Sequence, residues 1–390
     1  MQGSGNRDQG TALRVLIAGG GTGGHVIPAL AIARELRDRH GAEVRFVGTA
    51  RGLETRLVPE AGFRLELVRS GQLKNVSLAT RLRTAMDLPL GVMECVRLLR
   101  EFKPQVVVGV GGYASGPGMM AAILLRVPTL AFEPNAVPGL ANRLVGRWVS
   151  AAAVNFEQTT KYFRNARVTG IPVRAEFFAI PDYGPAPIQP AGRYIPPNDW
   201  PPTSPRLLVF GGSQGARLFN DVMPGIARRL LDYIPGLTIL HQAGAGSAEK
   251  TADAYRANGA DPARWQVTEF LADMPRRFAE ADLILCRSGA STVAELAAAG
   301  RAAVLVPFPG AADNHQLKNA EILAAVGAAF LRPQDQPDYF MESFLWSDLS
   351  SLLWGEGESR VAMARNVRKL ARPDAVRDIA RMAVELARRE

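Results

Sequence analysis

The sequence predicts an α/β protein of two doubly wound, Rossmann-like domains. Three observations predict it. Short apolar runs end in glycines, helix-like stretches separate them, and the alternation breaks at a proline-rich segment before starting again. Strand, glycine loop and helix in alternation are the signature of a parallel sheet wrapped by helices. In such pairs of domains the ligands are expected at the carboxyl ends of the strands, with the two domains facing across a cleft.

The elements follow in order. Residues 13–18 (LRVLIA) form an apolar run that ends in glycines, and a helix-like stretch covers 28–39. Residues 44–47, 105–110 (QVVVGV) and 129–132 are further strand candidates. From 181 to 205 prolines crowd a segment with few apolar runs, and proline neither donates to a sheet ladder nor continues a helix. The pattern resumes with 206–210 (RLLVF), then 237–241, 265–268, 283–286 and 303–306. The expected organisation is a loose tail over 1–12, a first domain over 13–176 and a linker or insertion over 177–205. A second domain covers 206–372, and a closing helix over 373–390 packs back on the first domain.

Bulk properties agree with two globular domains. Of the 390 residues, 47% are apolar, enough for real cores, and 21% are charged. The net charge of +9 suits anionic partners such as phosphorylated substrates or an acidic membrane surface. A dispersal of that charge over solvated faces is the plain alternative. Cys95 and Cys286 form neither a disulfide framework nor a metal cluster, which points to a reducing cytoplasm. The polar first residues lack the apolar core of a signal peptide. No stretch reaches the ~18 uncharged apolar residues of a spanning helix, so membrane contact is expected to be peripheral.

The chemistry concentrates in the glycine loops. Gly19-Gly20-Gly21-Thr22-Gly23-Gly24-His25 follows the first strand. Glycines there let the backbone approach an anion, and the next helix offers unpaired N–H groups and a positive dipole end. The string also fits G-x-G-x-x-G, but the second strand ends in Gly48-Thr49 rather than the acidic residue a dinucleotide site wants. No Lys-Ser or Lys-Thr pair follows it, which excludes a P-loop. Gly109 to Gly118, with Gly111, Gly112, Tyr113 and Ser115, is a second loop. Gly211 to Gly215 is a third, with Ser213 placed to cap the next helix. Each alone reads equally well as a tight turn; three at strand ends, spread over both halves, fit two phosphate-bearing ligands.

His25, one of four histidines, stands where a helix start disfavours the imidazolium. A neutral imidazole can take a proton from a sugar hydroxyl; a capping or packing role is the alternative. In the run Ala290, Ser291, Thr292, Val293, Ala294, Glu295, either hydroxyl can cap a helix. Glu295, one turn in, can accept two ribose hydroxyl bonds or merely complement the helix dipole. Asp313-Asn314-His315-Gln316 closes an apolar strand with polar side chains that suit sugar hydroxyls or a solvated loop. No Asp-x-Asp triplet occurs, so a diphosphate is expected to be neutralised by helix N-termini and a cation such as Arg174.

Together these segments, with Glu133-Pro134-Asn135 and Gly170 to Arg174, resemble the UDP-N-acetylglucosamine:undecaprenyl-diphospho-muramoylpentapeptide N-acetylglucosaminyltransferase family, which makes lipid II for peptidoglycan. The resemblance covers the chain from Arg14 onward and implies the two-domain glycosyltransferase B fold. It implies that the second domain binds UDP-N-acetylglucosamine and the first binds the lipid-linked muramoyl-pentapeptide. Thr22, Gly23, Gly24 and Asn135 would meet the donor sugar. Arg174 and Ser213 would lie near the nucleotide and its diphosphate, and Leu271 beside the uracil. Ala290 to Glu295 would surround diphosphate and ribose, and Gln316 the N-acetylglucosamine. Gly19, Gly20, Gly21, Gly111, Gly112, Tyr113 and Ser115 would face the acceptor diphosphate. His25 is the candidate base of an inverting transfer; the sequence shows no metal-ligand cluster, and neither a metal nor a cofactor is expected.

Three competing readings stand beside it. A UDP-N-acetylglucosamine 2-epimerase shares fold and nucleotide but needs no lipid acceptor, and a diacylglycerol glycosyltransferase would take another lipid. A non-enzymatic nucleotide-sugar-binding module would need polar residues in one half only. No nucleic-acid motif is present, so nucleic acid is not an expected partner. The expected location is the cytoplasmic face of the bacterial membrane. Lys74, Arg81 and Arg83, interleaved with Leu78, Leu82, Ala85 and Met86 at helical spacing, predict a helix that lies on an anionic lipid surface. The same apolar face would equally let that helix pack on its own domain.

Overall fold

The computed structural model describes residues 13–70, 78–183, 205–212, 215–335, 337–354 and 357–388, with backbone alone for 78–86 and 339. Two compact units divide the chain: Met1–Pro172 with Asp374–Glu390, and Val173–Pro373.

The first unit holds strands β1 (Arg14–Gly19), β2 (Glu43–Gly48), β3 (Arg64–Leu67), β4 (Val106–Gly111), β5 (Thr129–Glu133), β6 (Ala151–Val154) and β7 (Ala166–Val168). They form one sheet in the order β3-β2-β1-β4-β5-β6-β7, and every pairing is parallel. Its helices are α1 (Gly23–His40), α2 (Glu54–Glu60), α3 (Leu78–Phe102), α4 (Ser115–Leu124) and α5 (Leu140–Val145). β1, β4 and β5 are buried along their whole length or nearly so, as expected of strands covered on both faces. Helix α1 starts at Gly23, ahead of the expected residue 28, and its apolar residues Val26, Ala29, Leu30, Ala33 and Leu36 are buried at helical spacing. Gly41 ends it in the left-handed conformation.

The second unit holds β8 (Arg206–Phe210), β9 (Thr238–Gln242), β10 (Trp265–Thr268), β11 (Leu283–Cys286), β12 (Ala303–Leu305) and β13 (Phe330–Leu331), in the order β10-β9-β8-β11-β12-β13. Its helices are α6 (Ala175–Phe178), α7 (Arg217–Tyr233), α8 (Ala248–Ala257), α9 (Met274–Glu280), α10 (Ala290–Ala299), α11 (His315–Ala325), α12 (Asp338–Leu353) and α13 (Glu358–Arg368). Its core joins Leu207 and Val209 to Phe219, Ile226, Leu285 and Leu345. Both sheets run outward from a first strand that lies beside the fourth, so each has a switch point at its middle. In doubly wound sheets a ligand binds at such a point, outside the carboxyl ends of the strands.

The first unit ends at Pro172, ahead of the expected 176, and the second begins at Val173, ahead of the expected 206, so the base of the expected linker belongs to the second unit. The physical reason is Phe177 of α6, fully buried edge-on to Phe278, with ring centroids 5.1 Å apart. At the other end, α14 (Ala375–Ala387) buries Ile379, Ala380, Ala383 and Val384 and packs on α1, β4 and β5 of the first unit. The expected linker has an anchored base. The Tyr183 hydroxyl donates to Asp282 Oδ1 at 2.9 Å, and the Arg206 N–H donates to Asp282 Oδ2 at 2.8 Å. Residues 184–204, between these two anchors, lie outside the described residues, as does the tail over 1–12.

Candidate active site

In the first unit the sheet itself brings two glycine loops together. β1 and β4 pair in step as far as Ala18 and Gly109, then slip by one residue so that Gly19 stands opposite Gly111. The Gly20 N–H donates to the Gly111 carbonyl at 3.2 Å. Gly112 has φ +80°, and a Cβ there would stand 2.0 Å from the Gly20 carbonyl oxygen. Only glycine permits that approach. The loops of 19–25 and 109–118 therefore form one surface. His25 is the third residue of α1, in its first turn, and its ring lies over Gly111, whose added Cβ would be 2.9 Å from the ring Cε1.

The backbone of this surface is not uniformly open. Gly21 donates its N–H to Glu54 Oε2 at 2.6 Å, so that group is not offered to an acceptor phosphate. Thr22 caps α1 without a side-chain bond, and no acidic residue occupies the first turn. Thr22 and Gly24 are exposed. The N–H groups that begin α1 thus form the positive end of the loop. Tyr113 is 43% exposed. Ser115 is not: its side chain is buried at the start of α4, directed at the β4 backbone.

Asn135 belongs to the same unit and is set by Glu133, which the sequence names within its motif but to which it gives no role. Glu133, buried at the end of β5, accepts from the Asn135 N–H at 3.0 Å, the Asn135 Nδ2 at 3.2 Å, the Gly139 N–H at 3.1 Å and the Asn142 Nδ2 at 3.0 Å. Burial pushes its carboxyl above the usual range, and these four donors pull it back. The signal in the sequence is a carboxylate closing an otherwise apolar strand, TLAFE.

The second unit holds Arg174, Leu271, Ala290 to Glu295 and Gln316, and brings Arg174 close enough to Glu295 to act on its charge. Helix α10 has Gly289 as its N-cap with no side-chain bond, so neither Ser291 nor Thr292 caps it. The Val293 N–H bonds the Gly289 carbonyl at 3.0 Å, while Ala290, Ser291 and Thr292 precede it at a half-exposed helix end. Three N–H groups without a helical partner and the positive end of the helix dipole are the features that suit an anion. Glu295 lies one turn along. Burial pushes its carboxyl up to about 7, the Arg174 guanidinium acting in the opposite sense. Arg174, exposed at the start of α6, lies over Phe177 with its guanidinium carbon 5.2 Å from the ring centre.

Supporting this end is Arg287, which the sequence reading passed over. It donates to the carbonyls of Val306 and Pro307 at 3.0 and 3.1 Å and to Gln334 Oε1 at 2.9 Å. Burial lowers its guanidinium to about 10. Ser288 donates to the Gln316 carbonyl at 2.8 Å, and Gln316 Oε1 accepts from the Phe308 N–H at 3.0 Å. The Gln316 side chain therefore has one polar end already engaged and its amide nitrogen to offer. Leu271 is buried, and the exposed side chain beside it is Phe270, at 62%. Ser213, expected to cap the next helix, lies outside the described residues, and the N-cap of α7 is Ala216.

Comparison with known proteins matches residues 15–154 to the glycosyltransferase family 28 N-terminal domain and residues 206–341 to the family's C-terminal domain. A UDP-N-acetylglucosamine–N-acetylmuramyl-(pentapeptide) pyrophosphoryl-undecaprenol N-acetylglucosamine transferase of Anaeromyxobacter sp. (strain Fw109-5) is 42% identical over 97% of this chain and 94% of its own. A protein of the same name from Solibacter usitatus is 43% identical over 97% of each chain. The crystal structure of Acinetobacter baumannii MurG superposes with a TM-score of 0.77 at 30% identity, covering 96% of this chain and 99% of that one.

Proposed function

This chain belongs to glycosyltransferase family 28, and on that basis we propose that it transfers N-acetylglucosamine from UDP-N-acetylglucosamine to the 4-hydroxyl of undecaprenyl-diphospho-N-acetylmuramoyl-pentapeptide, the lipid I to lipid II step of peptidoglycan synthesis. The observation that carries the reading is the uncapped start of α10 with Glu295 one turn in and Arg174 close enough to influence it. An anion-binding helix end, a cation and a half-buried carboxylate are what a nucleoside diphosphate asks for. The α10 N–H groups and Arg174 take the diphosphate, Glu295 takes the ribose hydroxyls, and Phe270 offers an aromatic face to the base. The polar cluster that ends in Gln316 takes the sugar.

In the first unit the start of α1 takes the acceptor diphosphate. His25 removes the proton of the 4-hydroxyl as its oxygen attacks the anomeric carbon and the bond to the UDP oxygen breaks. The charge that develops on UDP is met by the α10 dipole and Arg174, which need no rearrangement to receive it. Inversion follows from a single in-line displacement. Incubation of labelled UDP-N-acetylglucosamine with and without the lipid acceptor tests this. UDP release that depends on the acceptor is expected; sugar epimerised in its absence would support the epimerase instead.

The acceptor's tail stays in a bilayer, so the first unit must reach the membrane surface. No helix among the described residues is long and apolar enough to cross one. Leu90, Met93, Leu124, Leu144 and Trp148, on or beside the neighbouring helices α3, α4 and α5, are 40–72% exposed. Arg126, Arg143 and Arg147 stand among them, exposed. Apolar side chains flanked by cations suit an anionic lipid surface. Of the basic face expected from sequence, Lys74 and the side chains of Arg81 and Arg83 lie outside the described residues.

A further inference from the structure

We propose that Glu54 is the positioning residue of the acceptor side: its buried carboxylate fixes the backbone of loop 19–25, and with it the placement of His25 and of the N–H groups that begin α1. This rests on the reading of that loop as the acceptor and base site. Glu54 opens α2 and is 1% exposed. A carboxylate taken out of water is costly unless donors replace the water. Three do: the Gly21 N–H at 2.6 Å on Oε2, and the Thr49 N–H and hydroxyl, each at 3.0 Å, on Oε1. The Leu53 N–H returns a bond to the Gly21 carbonyl at 3.1 Å, so the α2 start grips Gly21 at both its polar groups.

The surrounding space is shaped for this side chain. A Cβ on Gly52 would stand 1.8 Å from Glu54 Oε2, and one on Gly20 would stand 2.4 Å from the carboxyl carbon. Gly20 is pinned in turn by its N–H bond to Gly111. The conformation is thus settled as far as Gly21, where φ is +96°. One residue later the Thr22 carbonyl accepts from the His25 N–H at 3.1 Å and the helix begins. A shift of Gly21 moves the origin of α1 and the His25 ring that lies on Gly111. Misplacement by about 1 Å of a group that must meet a reacting atom can cost a hundredfold in rate.

Glu54→Gln keeps the shape but sets an amide N–H against a backbone N–H, at either Gly21 or Thr49. We expect kcat/KM for the lipid acceptor to fall about 10–100-fold, while UDP affinity, a property of the second unit, stays within about twofold by calorimetry. Thr49→Val removes only the hydroxyl donor, and it should show the same split at a few-fold amplitude. It carries the test if Glu54→Gln does not fold. A purely structural role would lower the melting temperature and leave acceptor kcat/KM unchanged well below it, and that result would overturn the proposal. His25→Ala separates the two claims. If it abolishes turnover while Glu54→Gln and Thr49→Val leave acceptor kcat/KM intact, the Glu54 proposal alone fails. If His25→Ala turns over normally, the reading of the loop fails first.

Discussion

Glu295→Gln should strengthen the folded protein and weaken its grip on the nucleotide. Burial lifts the Glu295 carboxyl to about 7 from an ordinary 4.5. The folded protein therefore holds the proton more tightly than the unfolded chain. Below pH 4.5 both states are protonated and the group costs nothing. Between 4.5 and 7 the unfolded chain ionises first, and stability is lost as pH rises. Above 7 the full penalty stands. At 1.36 kcal/mol per pH unit the difference amounts to about 3 kcal/mol, an upper bound because the site can relax. Glutamine carries no charge to bury. The variant should therefore be more stable than the parent by about 1–3 kcal/mol at pH 8, with the gain fading toward pH 4.5. In thermal unfolding that is a rise of several degrees at pH 8. At pH 8 its UDP affinity should fall about 10–100-fold, the value of charge-assisted bonds to the ribose. Ribose hydroxyls favour the carboxylate, so UDP binding by the parent near pH 7 should release protons, visible as a binding enthalpy that varies with the buffer. A variant whose stability difference from the parent is the same at pH 5 and pH 8 would refute the burial argument. Unchanged UDP affinity would remove Glu295 from the nucleotide site.

Three other perturbations follow from the same structure. His25→Ala should lower turnover by roughly 10²–10⁴-fold with UDP affinity little changed, read by steady-state kinetics beside calorimetry. Replacing 184–204 with a short Gly-Ser bridge should leave the melting temperature and UDP affinity near the parent's, because Tyr183 and Arg206 at its ends are already tied to Asp282. A loss of UDP binding would assign the segment a part in the site. Joint replacement of Leu124, Leu144 and Trp148 by serine should lower sedimentation with anionic vesicles while UDP affinity holds, and equal sedimentation would sink the proposed membrane face.

How much of this was legible in the sequence depends on how local its cause is. Strands β8 and β11 begin and end where their apolar runs do, because a strand buried in a parallel sheet needs little beyond continuous apolar side chains. β6 is AAAV and β13 only two residues, too weak in propensity or too short to announce themselves. Helix α1 was expected to begin at 28 because its first two residues are glycines, poor helix formers held there by the loop beneath them. The glycine loops, His25 and the α10 start were readable because their residue types answer to backbone geometry nearby. Glu54 was not: its meaning lies in a bond to Gly21, 33 residues away in sequence, and in the glycines that leave it room. Arg287 was hidden for the same reason, since its partners Val306, Pro307 and Gln334 come 19 to 47 residues later.

The stereochemistry of the transferred sugar tests the central claim most directly. The protein is incubated with UDP-N-acetylglucosamine labelled with carbon-13 at the anomeric position and a lipid-linked muramoyl pentapeptide. The lipid product is isolated and its new linkage read by NMR. A single displacement assisted by a base predicts one labelled sugar per UDP released, joined through the muramoyl 4-oxygen in the β configuration. An α linkage, or label that never reaches the lipid while donor is consumed, would contradict the account.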